Sequence, residues 1–365
     1  MPNPNLIPLS LYIHIPWCVK KCPYCDFNSH ESRTPIDFVG YVDALLDDLK
    51  TQLSFVQGRK IATIFIGGGT PSLLPIAQYR QLFAGINAQL TLTHDCEITM
   101  EANPATVEHA PFHEYLAVGI NRLSLGVQSF QTQKLAALGR IHNPQQALLA
   151  IVNAQQAGFK KLNVDLMHGL PNQTLTDALS DLQQAIDLGV SHISWYQLTI
   201  EPNTVFYRNT PILPDDEILV DIFEQGAQLL KANGFVQYEV SAWSRQADFQ
   251  PSQHNLNYWQ FGDYLAIGAG AHGKVTRPDG IYRFSKSRLP KDYRVNQSAI
   301  GWQAIEPSDL PFEFMMNGLR LKNGVPKQFW TQRTGLAWSV IEPQLIKLHN
   351  RGLVELSGDH IHCTA

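Results

Sequence analysis

The chain has 365 residues, enough for two domains or for one large α/β barrel with an appendix. With 44% hydrophobic and 16% charged residues and no low-complexity tract, its composition excludes a disordered or fibrous protein. The 28 Lys and Arg stand against 32 Asp and Glu, a formal net charge of -4, so the overall balance gives no reason to expect nucleic acid as a partner.

Six short β-type runs recur along the first two thirds of the chain: LSLYIHI, IATIFIGG, CEITMEAN, NRLSLGVQ, KLNVDLMHG and HISWYQLTI. Helix-length segments such as 38–56 and 144–158 separate them, which predicts parallel strands joined by crossover helices. A partial (βα)6 barrel over 1–236 is expected. Polar residues cluster at the C-terminal ends of these runs, the edge where parallel α/β architectures place their sites. The segment 237–305, rich in aromatics, Gly, Pro and Asn, reads as irregular structure flanking the barrel. Residues 306–365 read as a small helical, winged-helix-like domain ending in two short strands joined by Ser357-Gly358-Asp359. Its surface is not unusually basic, so it reads as a lid or packing domain.

No apolar run reaches the roughly 18 residues that span a bilayer, and MPNPNLIPLS lacks a signal core, so a cytoplasmic location is expected. Three of the 5 cysteines fall in Cys18-Val-Lys-Lys-Cys22-Pro-Tyr-Cys25, directly after the first run. That C-x3-C-x2-C spacing suits a metal better than a disulfide framework. Three thiolates on an iron–sulfur cubane leave one iron without a protein ligand, free to bind a small molecule. A zinc site would need a fourth ligand such as His14 or His30. Cys96 and Cys363 are isolated; they read as a small buried residue and a tail thiol.

YIHIPWC, then GGGTP, EANP, GVQSF and NVDLMHGLP at the ends of successive runs, resembles the radical S-adenosylmethionine enzymes, and within them the oxygen-independent coproporphyrinogen III oxidase group. The resemblance spans nearly the whole chain. It implies a 4Fe–4S cluster on Cys18, Cys22 and Cys25, with S-adenosylmethionine chelating the open iron. By the same resemblance Gly68, Gly69 and Thr70 line the methionine end. Glu101, Gln128, Arg140 and Asp165 complete the shell, Arg140 as a carboxylate clamp and the others toward the ammonium or the ribose hydroxyls. Tyr12 is carried over as an adenosine-end contact, and Tyr24 as a contact through its carbonyl. Each has a plain alternative: a strand-to-helix turn for the glycines, ion pairs or strand-end hydrogen bonds for the polar groups, core packing for the tyrosines.

The oxidases of this group carry a further cysteine two positions after the third; here Phe27 stands there, and only 17 residues precede Cys18. Both departures resemble a haem-chaperone subgroup, whose H-N-x-x-Y-W motif is matched by His254-Asn255-Leu256-Asn257-Tyr258-Trp259. That resemblance implies haem as a further ligand, His254 as a candidate axial ligand in a reachable region, acceptor haem proteins including respiratory ones, and a one-electron reductant. A satisfied core histidine is the alternative for His254, and His272 is a lesser candidate more simply read as structural. Two other functions stay open: anaerobic coproporphyrinogen III decarboxylation, and a radical enzyme of unknown substrate.

Overall fold

The computed structural model describes residues 2–32, 34–105, 111–356 and 358–364. The six predicted runs form β1 (Leu9–Ile15), β2 (Ile61–Gly68), β3 (Leu92–Ala102), β4 (Arg122–Gln128), β5 (Lys161–His168) and β6 (His192–Gln197). They lie side by side in chain order, all parallel. Helices α1 (Phe38–Gln52), α2 (Ile76–Gln89), α3 (Phe112–Ala117), α4 (Thr132–Ala137), α5 (Pro144–Gln156) and α6 (Leu175–Asp187) fill the crossovers, followed by α7 (Val205–Arg208) and α8 (Asp216–Ala232). Local chemistry sets their starts: capping boxes pair Asn143 with Gln146 at α5 and Thr174 with Asp177 at α6.

The strands alternate between two environments. On β1, Leu9, Leu11, Ile13 and Ile15 are buried in the main apolar cluster, which also takes Tyr41, Val42, Leu45 and Leu49 of α1. The intervening Ser10, Tyr12 and His14 face the barrel interior, where Ser10 and its neighbour Thr63 share a hydrogen bond of 2.8 Å. The interior is therefore lined by polar and aromatic side chains, while the core proper lies between sheet and helices.

Residues 237–305 depart from the expected irregular structure. β7 (Phe235–Glu239) and β8 (Ala242–Arg245) extend the sheet beyond β6, antiparallel. After α9 (Gln253–Trp259), β9 (Asp263–Ile267) joins β1 in parallel, and β10 (His272–Arg277), β11 (Gly280–Ser285), α10 (Pro290–Val295) and β12 (Ile300–Ala304) continue outward, giving a 12-stranded open sheet. The HNLNYW run thus lies on a helix. Helices α11 (Leu310–Gly318), α12 (Lys327–Thr334) and α13 (Glu342–Asn350), with a three-stranded ladder of residues 325–326, 354–355 and 360–363, form the C-terminal unit around Phe314, Trp330 and Ile361. Of the expected terminal turn, Ser357 lies outside the described residues. No helix among the described residues is long and apolar enough to cross a membrane.

Candidate active site

A cavity of about 510 Å³ opens where β1 to β6 end, in the size range of small-molecule sites. Cys18, Cys22 and Cys25 line it together with Tyr24, Gly68, Gly69, Thr70, Glu101, Gln128, Arg140 and Asp165. The cysteine loop is held by its neighbours: the Asn28 amide donates to the carbonyls of Ala269 and Arg288, and His14 Nε2 donates to the Asn28 carbonyl at 2.9 Å. Because that carbonyl accepts only, His14 Nδ1 is the acceptor for the Tyr12 hydroxyl.

None of the three thiols is in a disulfide, and burial pushes Cys18 and Cys25 above the ordinary thiol range, with Ser29 opposing the shift at both and Thr70 at Cys18. Arg140 donates to the Cys22 sulfur at 3.6 Å and to the Gly126 carbonyl at 2.6 Å. Among the described residues no group of three or more His, Cys, Asp or Glu converges as ligands to one ion do. Ligands to separate corners of a cluster stand further apart than ligands to a single ion, so three thiols around a shared void, beside a cation, suit a cluster. Directly beside them Gly69 leaves room that a side chain would fill: a Cβ there would lie 3.0 Å from the Cys18 sulfur.

The far wall carries two half-buried carboxyls. Glu101 accepts from the Gly68 N–H, yet burial, with Asp165 nearby, pushes it up to about 8. Burial also raises Asp165, which accepts from Ser124 and from Asn163 at 2.8 Å each. The Arg140 guanidinium partly offsets the rise at Asp165, whereas among the described residues no cation opposes it at Glu101, and the ammonium of an amino-acid ligand or ribose hydroxyls would complete the pair. Gln128 has a left-handed backbone (φ 69) and its amide oxygen accepts from Tyr196 at 2.9 Å. Strain of this kind concentrates at ligand sites.

Two sequence-picked residues are not on this wall. Tyr12 pairs with Phe65 across the sheet, two residues short of the Gly67 layer, and its ring stacks on Phe65 beneath the cavity. His254 is not reachable as expected: it is 0% exposed, with Nδ1 at 2.7 Å from Thr63 Oγ1 and Nε2 at 2.7 Å from the Tyr258 hydroxyl. Both ring nitrogens are engaged inside the barrel, and burial holds the imidazole down to about 3. Conversely Tyr196, Gln197, Thr199 and Glu201 line the cavity unforeseen. Their signal was position alone, at the end of the sixth run.

The fold and the thiol-lined strand ends define a radical S-adenosylmethionine protein. The Radical SAM superfamily model matches residues 12–185, and the HemN C-terminal domain model matches 305–365. Over 98% of this chain and 87% of its own, the structure of coproporphyrinogen III oxidase (HemN) from Escherichia coli superposes with a TM-score of 0.81 at 23% identity, a likeness of fold. The chain is 55% identical to the heme chaperone HemW of Escherichia coli (strain K12) over 87% of this chain and 84% of that protein. It is 54% identical to HemW of Haemophilus influenzae over 88% and 85%, and 32% identical to HemW of Mycobacterium tuberculosis over 87% and 83%. The chain belongs to the HemW family.

Proposed function

We propose that this chain is a haem chaperone: it binds haem and S-adenosylmethionine, carries a 4Fe–4S cluster, and transfers haem to haem proteins. The carrying observation is 55% identity over 87% of the chain to a protein named heme chaperone. The cavity adds a second support. At the position where the related oxidases carry a further cysteine, Phe27 sits on the cavity wall, 59% exposed, and offers an aromatic face in place of a thiol.

In this reading Cys18, Cys22 and Cys25 hold the cluster, which supplies a one-electron centre with an open iron. Gly68, Gly69 and Thr70 form the floor for the methionine end. Glu101 accepts from the ammonium, Gln128 and Asp165 serve the ribose hydroxyls, and Arg140 lies beside the carboxylate while its Nη atoms brace Cys22 and Gly126. Tyr24 borders the same space. Tyr12 acts from beneath the floor through His14. The working partition is a barrel domain to about residue 236, the 237–305 extension and the 306–365 cap. The acceptors, respiratory haem proteins among them, and a one-electron reductant meet the chain in the cytoplasm, with docking at a membrane protein transient.

The test is an anaerobic assay of cluster-loaded protein with haem, S-adenosylmethionine and reductant against an apo haem protein. Appearance of holo-acceptor absorbance, with coproporphyrinogen III returned unchanged in a parallel incubation, supports the chaperone. Binding of haem without transfer to any acceptor counts against it, and accumulation of decarboxylated porphyrin identifies an oxidase.

A further inference from the structure

A continuous line of hydrogen bonds runs through the barrel interior from the cavity wall to the start of α9. The Ser252 N–H donates to the Tyr238 hydroxyl at 3.1 Å, and Ser252 caps α9 by accepting from the Asn255 N–H. The Tyr238 hydroxyl lies 2.9 Å from His192 Nε2, and His192 Nδ1 lies 2.6 Å from Asn163 Oδ1. The Asn163 amide donates to Ser124 and to the Asp165 carboxylate.

The chemistry of the members admits one arrangement of protons. Asn163 spends both amide hydrogens on Ser124 Oγ and Asp165, so its oxygen only accepts. His192 must therefore carry its proton on Nδ1. The ring is buried beside Arg122 and held well below its usual range, so it is neutral and Nε2 accepts. Tyr238 then donates to Nε2 and receives the Ser252 N–H. Every donor points toward Asp165, an alignment in which neighbouring bonds polarise and reinforce one another. A separate tie holds the start of α9 to the sheet: the Gln253 N–H donates to Glu97 Oε1 at 2.8 Å, and Glu97 pairs with Arg122.

We infer that Asn163, His192 and Tyr238 are positioning residues that couple occupancy of the cavity at Asp165 to the order of α9, the helix carrying HNLNYW. The inference rests on the reading that S-adenosylmethionine reaches Asp165. A ligand hydroxyl that engages the carboxylate fixes the acceptor end of the line, and the fixed end restrains Ser252 and the first turn of α9. Coupling of this kind is reciprocal, so ordering α9 tightens the ligand in return.

The experiment is amide hydrogen exchange over residues 252–260 of the cluster-loaded full chain, with and without saturating S-adenosylmethionine. The wild type shows slowing of at least about fivefold, the lower end of ordinary coupling. Tyr238→Phe, which deletes the one hydroxyl between His192 and Ser252, loses most of that slowing while S-adenosylmethionine still binds and the cluster absorbance is unchanged. His192→Gln, which keeps one donor and one acceptor, retains it. Full slowing in Tyr238→Phe overturns the coupling, as does unchanged exchange in a wild type with ligand bound. Failure of the wild type to bind S-adenosylmethionine at all overturns the site reading instead, and the coupling with it.

Discussion

Gly69 and Cys18 share a space that admits only one of them with a side chain: a Cβ on Gly69 would stand 3.0 Å from the Cys18 sulfur and 2.5 Å from the Trp17 carbonyl oxygen. Gly69 is not among the residues with positive φ, so it is there for room and not for backbone freedom. Gly69→Ala is expected to push the loop that presents Cys18, cutting iron per chain after reconstitution to less than about half. Gly189→Ala is the control: its φ of 69 is strained for alanine but a Cβ meets nothing within 4 Å, so it costs about 1–2 kcal/mol and leaves iron content untouched. Equal iron content in the two variants would show that Gly69 does not guard the cysteine.

Glu101 gives the site a pH signature. Its carboxyl is pushed up to about 8 by burial first and Asp165 second, while an unfolded glutamate titrates at 4.5. Between those values the folded chain holds a proton that the unfolded chain releases, so this group's contribution falls as pH rises from 4.5 to 8 and is level above. A cationic ligand needs the ionised form and must expel that proton. Affinity for S-adenosylmethionine is therefore expected to rise with pH, at most about tenfold per unit, and to flatten above pH 8. In Glu101→Gln the slope disappears and affinity drops. Calorimetry in two buffers of different ionisation heat reads the released proton; no release at pH 6.5 would remove Glu101 from the binding step.

The ends of the six runs were legible because parallel strands bring their C-terminal edges together, so Gly68, Glu101, Gln128 and Asp165 needed only their positions on β2 to β5 to be placed around one cavity. Tyr12 shows the limit. Alternation tells which face residue 12 occupies, whereas its depth depends on register with β2, and Tyr12 opposite Phe65 is a layer below the rim. The 237–305 segment hid its strands because they are short and bend through turns such as that between β10 and β11, and α9 is only seven residues long, too short for a helical period to register. The burial of His254 is a tertiary fact, set by Thr63 on a strand nearly two hundred residues away.

That burial predicts acid sensitivity at one site. His254 is held to about 3 by burial, against 6.5 unfolded, so as pH falls below 6.5 the unfolded chain takes up a proton the folded chain refuses. The stability this group supports is present above 6.5 and lost progressively down to about 3, at up to about 1.4 kcal/mol per pH unit. His254→Gln lacks the titration. It is expected to be less stable than wild type by about 1–3 kcal/mol at pH 8, because Thr63 and Tyr258 lose a well-placed partner, and to close or reverse that gap near pH 4.5. Urea midpoints across this range measure it, and a gap that stays constant with pH would mean the imidazole is not buried neutral.

Asn28 and Gly270 make the cysteine loop depend on the distant β9–β10 turn. The Asn28 amide donates to the Ala269 carbonyl at 3.0 Å and to the Arg288 carbonyl at 2.9 Å, and a Cβ on Gly270 would lie 2.1 Å from that same nitrogen. Gly270 also has φ 82, unfavourable for any side chain. Asn28→Ala removes three hydrogen bonds, the third from Arg288 Nε to Asn28 Oδ1 at 3.4 Å, a loss of about 1–4 kcal/mol, and Gly270→Ala displaces the amide as well as straining the turn. Both variants are expected to fold and take up iron but to lose it severalfold faster on exposure to air or chelator, because the loop carrying Cys18, Cys22 and Cys25 is tethered at Asn28. The decay of cluster absorbance, read beside the melting temperature, separates tether from scaffold. A variant with lowered melting temperature but wild-type cluster lifetime would assign Asn28 to the fold alone.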